Sequence, residues 1–285
     1  MQNFRVIGKT LYVLPIKIYE TLVSVISIFL FSSFKISKKL KNIKQSIDPS
    51  NICTILANGP SLKYALEESN FIKNNNVFVA VNDFACTSFF EKIMPTYYVL
   101  LDPSIFNLNF NSQNKRLLDA INNVSWNMIL YIPYNQKDSA FALNINSEKI
   151  SKLFFNSTKF VGIRYLQYFA YRKNLGIPSS RNVIIPTILL MLNLGYKKIY
   201  LYGIDFSWIK NFEVDENNHF YIKENHFYNS SNVIYYEKGH YKQWLKWIVE
   251  MLEGLEKLED YSRHIGSEII NKTIGSFVDC FKYER

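Results

Sequence analysis

The stretch Cys53–Leu62, CTILANGPSL, carries an apolar run into Asn58, Gly59, Pro60 and Ser61, where a helical pattern begins. A strand that turns through Gly and Pro into a helix leaves backbone N–H groups unpaired with the helix dipole behind them, which suits a phosphate. The chemistry indicated is the handling of a nucleotide or a diphosphate. The same residues also make an ordinary turn capped by Ser61, so the motif has to be weighed with others. Three further polar tips stand where apolar runs end, at Asn82–Phe84, Asp102–Ser104 and Gly203–Trp208. In an open parallel sheet such loops leave the carboxyl ends of the strands and converge on one crevice. Asn58, Ser61, Asn82, Asp102, Ser104 and Asp205 would then meet, although each alone is a routine turn former.

The elements that must position these residues alternate along the chain. Strands are expected at Cys53–Ala57, Val77–Val81, Tyr97–Leu101, Met128–Ile132, Lys198–Tyr202 and Glu268–Ile270. Helices are expected at Leu62–Lys73, Thr87–Ile93, Val161–Arg172, Asn182–Asn193 and Tyr241–Ser262. Apolar runs of about five residues separated by helical patterns predict an α/β fold, a Rossmann-like, mostly parallel sheet with flanking helices. Residues 135–180 show little pattern apart from one helix. Residues 209–240 are polar and aromatic without a sustained period, and read as an irregular lid over 207–240. Tyr241, Trp244, Trp247, Ile248, Met251 and Leu255 recur at helical spacing and read as core. The turn at Thr273, Gly275 and Ser276 reads as a surface turn, with completion of the crevice as the alternative.

The chain has 285 residues, a formal charge of +9 and five lysines (Lys35, Lys38, Lys39, Lys41, Lys44) directly after its most apolar part. That placement favours a membrane surface over nucleic acid, for which no helix-turn-helix spacing, zinc finger or aromatic RNA-binding signature is present. Leu11–Phe34 contains Lys17 and Glu20, and its most apolar run, Leu22–Phe34, is only thirteen residues long. Such a segment is expected to lie in the interface or cap the body rather than cross a bilayer. The organisation expected is a membrane-associating segment, 1–47, and a catalytic domain, 48–285, with the boundary at Asp48–Ser50. Cys53, Cys86 and Cys280 lack disulfide or zinc spacing, and a reducing cytosol fits them. No metal ligand set is read from the sequence.

NGPSL, then VN at a following strand end, then DPS after Tyr-Tyr-Val-Leu-Leu, then a Ser-rich turn into an apolar helix ending LGYKKIYLYGIDF together resemble two related families. One is the family 42 sialyltransferases of bacterial surface glycans. The other is the MptE-like family (DUF115), grouped with archaeal 6-hydroxymethylpterin diphosphokinases. The resemblance covers 52–110 and 178–280 and leaves 111–177 unmatched. It implies that Asn58, Gly59, Pro60 and Ser61 cradle the phosphate of a CMP-activated sugar, and that Asn82 reaches the nucleotide or sugar. Ser179, Ser180, Arg181 and Asn182 would hold cytidine and ribose, with Asp102, Ser104, Gly203, Ser207 and Trp208 completing the donor site.

A sugar hydroxyl needs a general base, and His is the usual choice. His226 corresponds loosely to the segment that carries the base in the sialyltransferases, and His219 and Asp205 are further catalytic candidates. The reading is a glycosyltransferase that moves a sialic-acid-like sugar from a CMP donor to a surface-glycan or lipid-linked acceptor, without a cofactor. Its expected place is the inner face of the bacterial cytoplasmic membrane, with peripheral membrane association. Two departures keep alternatives open: Asp102 replaces an Asn, and Ser207-Trp208 stands where a leaving-group Tyr is expected. The alternatives are a Mg-dependent diphosphokinase with Mg on Asp102, and a non-catalytic nucleotide-binding module.

Overall fold

In the computed structural model the backbone is described for residues 2–43, 52–68, 71, 77–106, 112–226, 229–236 and 240–284. Side chains are described for these except 2–12, 37, 41–43, 112 and 223–236. The expected domain boundary at Asp48–Ser50 lies outside the described residues.

The elements run in chain order α1 (Gln2–Phe31), α2 (Phe34–Ile43), β1 (Ile52–Leu56), α3 (Leu62–Glu67), β2 (Val77–Val81), α4 (Phe90–Ile93), β3 (Tyr97–Val99), α5 (Pro103–Phe106), α6 (Ser112–Asn122) and β4 (Met128–Pro133). They continue α7 (Ala140–Leu143), β5 (Ile150–Phe155), α8 (Arg164–Arg172), α9 (Ile184–Leu194), β6 (Lys198–Tyr202), β7 (Phe212–Val214), β8 (Phe220–His226), β9 (Asn229–Tyr236), α10 (His240–His264), β10 (Glu268–Asn271) and β11 (Lys282–Tyr283).

The main sheet has eight strands in the order β11-β10-β6-β1-β2-β3-β4-β5. Every pairing within it is parallel. The strands that follow β1 step outward to one side. The chain then returns across the sheet, places β6 against the other side of β1, and steps away through β10 and β11. The order therefore reverses between β1 and β6, and in open α/β sheets ligands bind in the crevice at that point.

Alternate side chains of the central strands face two buried layers. Cys53, Ile55, Val79 and Val99 pack with α9, α10 and Ile28, Ile36 and Leu40 of α1 and α2. Leu56, Phe78, Ala80 and Tyr98 pack with α3 to α7. Helix α9, IIPTILLMLNL, is buried on nearly every side, which explains why its sequence lacks a polar face. Pro186 is its third residue, where no intrahelical donor is needed. Gly195 ends it at φ +108° with its N–H donated to Met191 and Leu192 carbonyls, a left-handed cap that a β-carbon would strain.

Helix α1 docks on the body through its polar side. The Ile163 N–H donates to Thr21 Oγ1 (2.8 Å), the Val161 N–H to Ser24 Oγ (3.0 Å), and Ser32 Oγ to Thr158 Oγ1 (2.7 Å). Asn156 exchanges bonds with the backbone of Ser33 and also donates to the Asn174 carbonyl. Gly162, at φ +113°, sits so close that a β-carbon would lie 2.1 Å from Thr21 Oγ1.

Two segments differ from the sequence expectation. Among the described residues of 209–240, after a 3-10 turn at Ser207–Asn211, β7, β8 and β9 form a three-stranded antiparallel sheet where no regular structure is expected. This segment thus has its own hydrogen-bonded ladder. The span 135–180, in which the sequence predicts only the helix at Val161–Arg172, also contains β5, an edge strand whose burial alternates only along its second half.

Candidate active site

The loops after β1, β2, β3, β4, β5 and β6 surround one cleft of about 580 Å³, within the size range of small-molecule sites. Of the expected residues, Asn58, Gly59, Pro60, Asn82, Asp102, Ser180, Arg181, Asn182, Gly203, Ser207 and Trp208 line it. Ser61, Ser104, Ser179, Asp205 and His219 do not.

The turn after β1 is built differently from a phosphate cradle. The Gly59 N–H donates to the Gly203 carbonyl (2.9 Å), the Leu62 N–H to the Gly59 carbonyl (3.1 Å), and the Ser61 N–H to Asp205 Oδ1 (3.1 Å). Pro60 has no N–H. Two of the amides expected to hold an anion, those of Gly59 and Ser61, are therefore committed within the protein. Helix α3 behind them has only six residues.

Asp205, an expected catalytic residue, is buried and receives both the Ser61 N–H and the Ser61 hydroxyl (2.8 Å). Burial pushes its carboxyl above the ordinary range, and the two Ser61 bonds pull it back only in part. Its observed work is to fasten the β1 turn to the β6 turn. The turn at Thr273–Ser276 supports the same loop from behind: the Ile204 N–H donates to Thr273 Oγ1 (3.1 Å), and Ser276 Oγ donates to the Ile204 carbonyl (2.7 Å). Neither residue lines the cleft.

Asn58 turns its amide nitrogen to the Val81 carbonyl (3.2 Å). Because a carbonyl can only accept, this bond fixes which end of the amide is nitrogen. Asn58 Oδ1 is left buried with no hydrogen-bond partner. An unsatisfied buried acceptor costs free energy until a donor arrives, so this atom suits a ligand's N–H or O–H rather than a phosphate oxygen. Asn82, at φ +44°, accepts the Leu101 N–H (3.1 Å) on Oδ1 and the Tyr98 hydroxyl on its carbonyl. It thus ties the ends of β2 and β3 together at the cleft floor.

The cationic wall comes from the turn before α9. Ser179 is fully buried and accepts the Arg181 N–H on Oγ (3.2 Å), while Asn182 Oδ1 accepts the Ile184 N–H (2.9 Å). The Arg181 guanidinium lies 4.9 Å over the Trp247 ring and donates through Nε to Glu250 (3.1 Å), which also holds Lys159 (2.7 Å). Burial alone would raise the Glu250 carboxyl, but the hydrogen bonds from Lys159 and Arg181 outweigh it and hold it below the ordinary range. Two cations against one carboxylate leave a net positive charge at the start of α9, where the helix dipole adds to it.

Trp208, Trp244 and Trp247 form an aromatic wall, with the Trp208 and Trp244 rings 5.6 Å apart and those of Trp244 and Trp247 5.3 Å apart. The helical spacing of 241–255 predicts core positions. Ile248, Met251 and Leu255 are buried, but Trp244 and Trp247 face the cleft and Met251 also contributes to its lining. Pattern alone cannot separate a helix side that meets the sheet from one that meets a cavity. Asn135, Gln136 and Ser157 also line the cleft, and the weak pattern of 135–180 hid them.

Asp102 is exposed at the cleft edge, with Oδ1 accepting the Ser104 N–H (2.9 Å). Among the described residues no three His, Cys, Asp or Glu side chains gather as a metal set. Mg²⁺ held chiefly by nucleotide phosphates needs one or two protein carboxylates, and Asp102 offers one. His219 is half-exposed on the β7–β8 turn, where its ring nitrogen meets Asp215 (3.1 Å). His226 ends β8, and its side chain lies outside the described residues. His264 stacks on Tyr168 (4.7 Å) at the far end of α10.

Among solved structures, the chain is similar to the MAf glycosyltransferase from Magnetospirillum magneticum AMB-1, with a TM-score of 0.47 and 12% identity over 87% of this chain. The aligned part spans 38% of that protein. No curated protein matches the chain. Residues 30–211 match the family described as 6-hydroxymethylpterin diphosphokinase MptE-like. This match runs through 111–177, which the motif resemblance left out, and stops before the three-stranded sheet. With more than half of its length matched in this way, the chain belongs to the MptE-like family.

Proposed function

We propose that the chain is a glycosyltransferase whose cleft binds a CMP-activated, sialic-acid-like sugar and passes the sugar to a glycan hydroxyl. The observation that carries this reading is the union of three features at the β1/β6 reversal. These are the unpaired Asn58 Oδ1, the tryptophan wall, and the positive start of α9 with Arg181. Asn58 Oδ1 takes a donor such as a base amine or a sugar hydroxyl. The wall covers an apolar ring face, and Arg181 at the positive end of α9 faces the phosphate.

In the transfer, the acceptor oxygen forms a bond to the anomeric carbon as the bond from that carbon to the phosphate oxygen breaks. The electron pair leaves with CMP, whose added charge Arg181 and the helix dipole stabilise. The hydroxyl proton goes to a general base, a role assigned here to His226. Replacing His226 with Ala should then lower turnover while CMP binding persists; unchanged turnover removes it from the mechanism.

Asp102 supports a second reading, Mg-dependent pyrophosphoryl transfer from ATP. Thermal shifts with CMP, CDP, UDP, GDP and ATP, with and without Mg²⁺, separate the two. A CMP-selective shift without metal supports sugar transfer. An ATP shift that requires Mg²⁺ and disappears in Asp102→Asn supports the second reading. Tight binding without turnover of any nucleotide sugar points to a binding module.

A further inference from the structure

Helix α1 is amphipathic in the reverse sense for a surface helix. Its polar Thr21 and Ser24 are buried against 161–163, whereas Tyr19, Leu22, Val23, Ile26, Phe29 and Leu30 recur at helical spacing on the outside. Phe29, Leu30 and Phe31 are 70%, 69% and 67% exposed. A helix that hides hydroxyls in protein and presents a continuous apolar stripe gains nothing from water on that side. Exposed Lys17 lies on the same helix, and exposed Lys35, Lys38 and Lys39 follow on α2.

We infer that the outward face of α1 lies in the surface of an anionic lipid bilayer, with the lysines meeting the headgroups. Val13–Phe31 is long and apolar enough to cross a membrane. The docking decides against crossing, because the helix is fastened to the body at intervals from Thr21 to Ser33. A helix held in this way can sink one face into the interface but cannot stand across the bilayer. A second copy of the chain is the weaker occupant, because a two-fold contact would bring the lysine-rich segments of both copies together. The docking partners Asn156 and Thr158 flank Ser157, which lines the cleft. The cleft wall is thus one residue from the membrane-facing helix. The inference stands independently of the reaction proposed above, since its test reads binding and not turnover.

The test is flotation of the full chain with phosphatidylcholine vesicles, with and without ~30 mol% phosphatidylglycerol. The expected result is flotation with the anionic vesicles, weakened in high salt and released by alkaline carbonate. The triple variant Phe29→Ser, Leu30→Ser, Phe31→Ser alters exposed positions only. It should keep its thermal midpoint and lose roughly a thousandfold in partitioning, about tenfold per side chain. Lys35→Gln, Lys38→Gln, Lys39→Gln should lose about fivefold per lysine on anionic vesicles alone. Absence of flotation, or equal flotation of the triple serine variant, overturns the inference. So does resistance to carbonate, which would mean a span, or a dimer that the serine variant converts to monomer in the absence of lipid.

Discussion

Gly59 is the position where a single added carbon should do most damage. A β-carbon there would lie 2.0 Å from Asp205 Oδ2 and 2.4 Å from the Gly203 carbonyl oxygen, against ordinary contacts of 3.4–4 Å. Gly203 is itself constrained, at φ +71°, and a β-carbon there would lie 2.9 Å from Leu62 Cβ. The two turns must therefore part by more than an ångström, further than a hydrogen bond tolerates. Three bonds are at stake: Gly59 N–H to Gly203, Ser61 N–H to Asp205, and Ser61 Oγ to Asp205. At ~1 kcal/mol for the neutral bond and ~1.5–3 kcal/mol for each bond to a carboxylate, and with some recovery in water, Gly59→Ala should cost about 3–5 kcal/mol. That is a fall of roughly 5–8 °C in midpoint for a chain of this size. Ser61→Ala, which removes only the hydroxyl, should cost about a third as much. Urea unfolding and calorimetry measure both variants. A Gly59→Ala midpoint within experimental error of the parent would refute the claim that the β1 and β6 turns are locked together.

Four other outcomes follow from the same geometry. Asp205 has a raised carboxyl pKa in the folded state, so the folded chain holds its proton to higher pH than the unfolded chain. Its contribution is greatest below the usual value of 3.8 and declines as pH rises through the raised one. Stability measured from about pH 4 to about pH 7 should therefore fall in the parent relative to Asp205→Asn, and parallel curves would contradict this. Arg181→Met should weaken nucleotide binding by roughly 10- to 100-fold and reduce its salt dependence, as calorimetric titration would show. Asn58→Leu should bind nucleotide worse and cost only about 1 kcal/mol in unfolding, because the Nδ2 bond to the Val81 carbonyl is lost whereas Oδ1 has no protein partner to lose; unchanged affinity removes Asn58 from the site. Asn156→Ala should cost about 2–3 kcal/mol in urea unfolding, since it leaves the Ser33 N–H and the Ser33 and Asn174 carbonyls without the amide that now meets them.

The sheet could be read from sequence in its central strands, two of them buried along nearly their whole length. CTIL, VFVAV and KIYLY are apolar runs of strand length in central positions, and the residues expected at the strand ends, Asn58, Asn82, Asp102 and Gly203, line one cleft. What the sequence concealed depends on partners distant along the chain. Ile150–Phe155 is an edge strand with mixed exposure, so neither a continuous apolar run nor a clean alternation marks it. The Asn-rich β7–β9 sheet gains its order from ladder bonds and from rings such as Phe212 and Phe220, 5.2 Å apart. Local pattern cannot show that Gly203 and Asp205, more than a hundred positions away, take up the amides of Gly59 and Ser61. Arg181 was expected from resemblance, but its pairing with Glu250 and stacking on Trp247 needed α10 in place.

Three of the chain's four tryptophans, Trp208, Trp244 and Trp247, line the cleft, so the protein reports on its own site. Titrating CMP into the full chain while following tryptophan fluorescence tests the central claim most directly. The account predicts a saturable change that occurs without metal, is larger for CMP than for other nucleotides at equal concentration, and is much reduced in Arg181→Met. Fluorescence that stays flat with CMP, CDP, UDP, GDP and ATP, with Mg²⁺ present or absent, would contradict it.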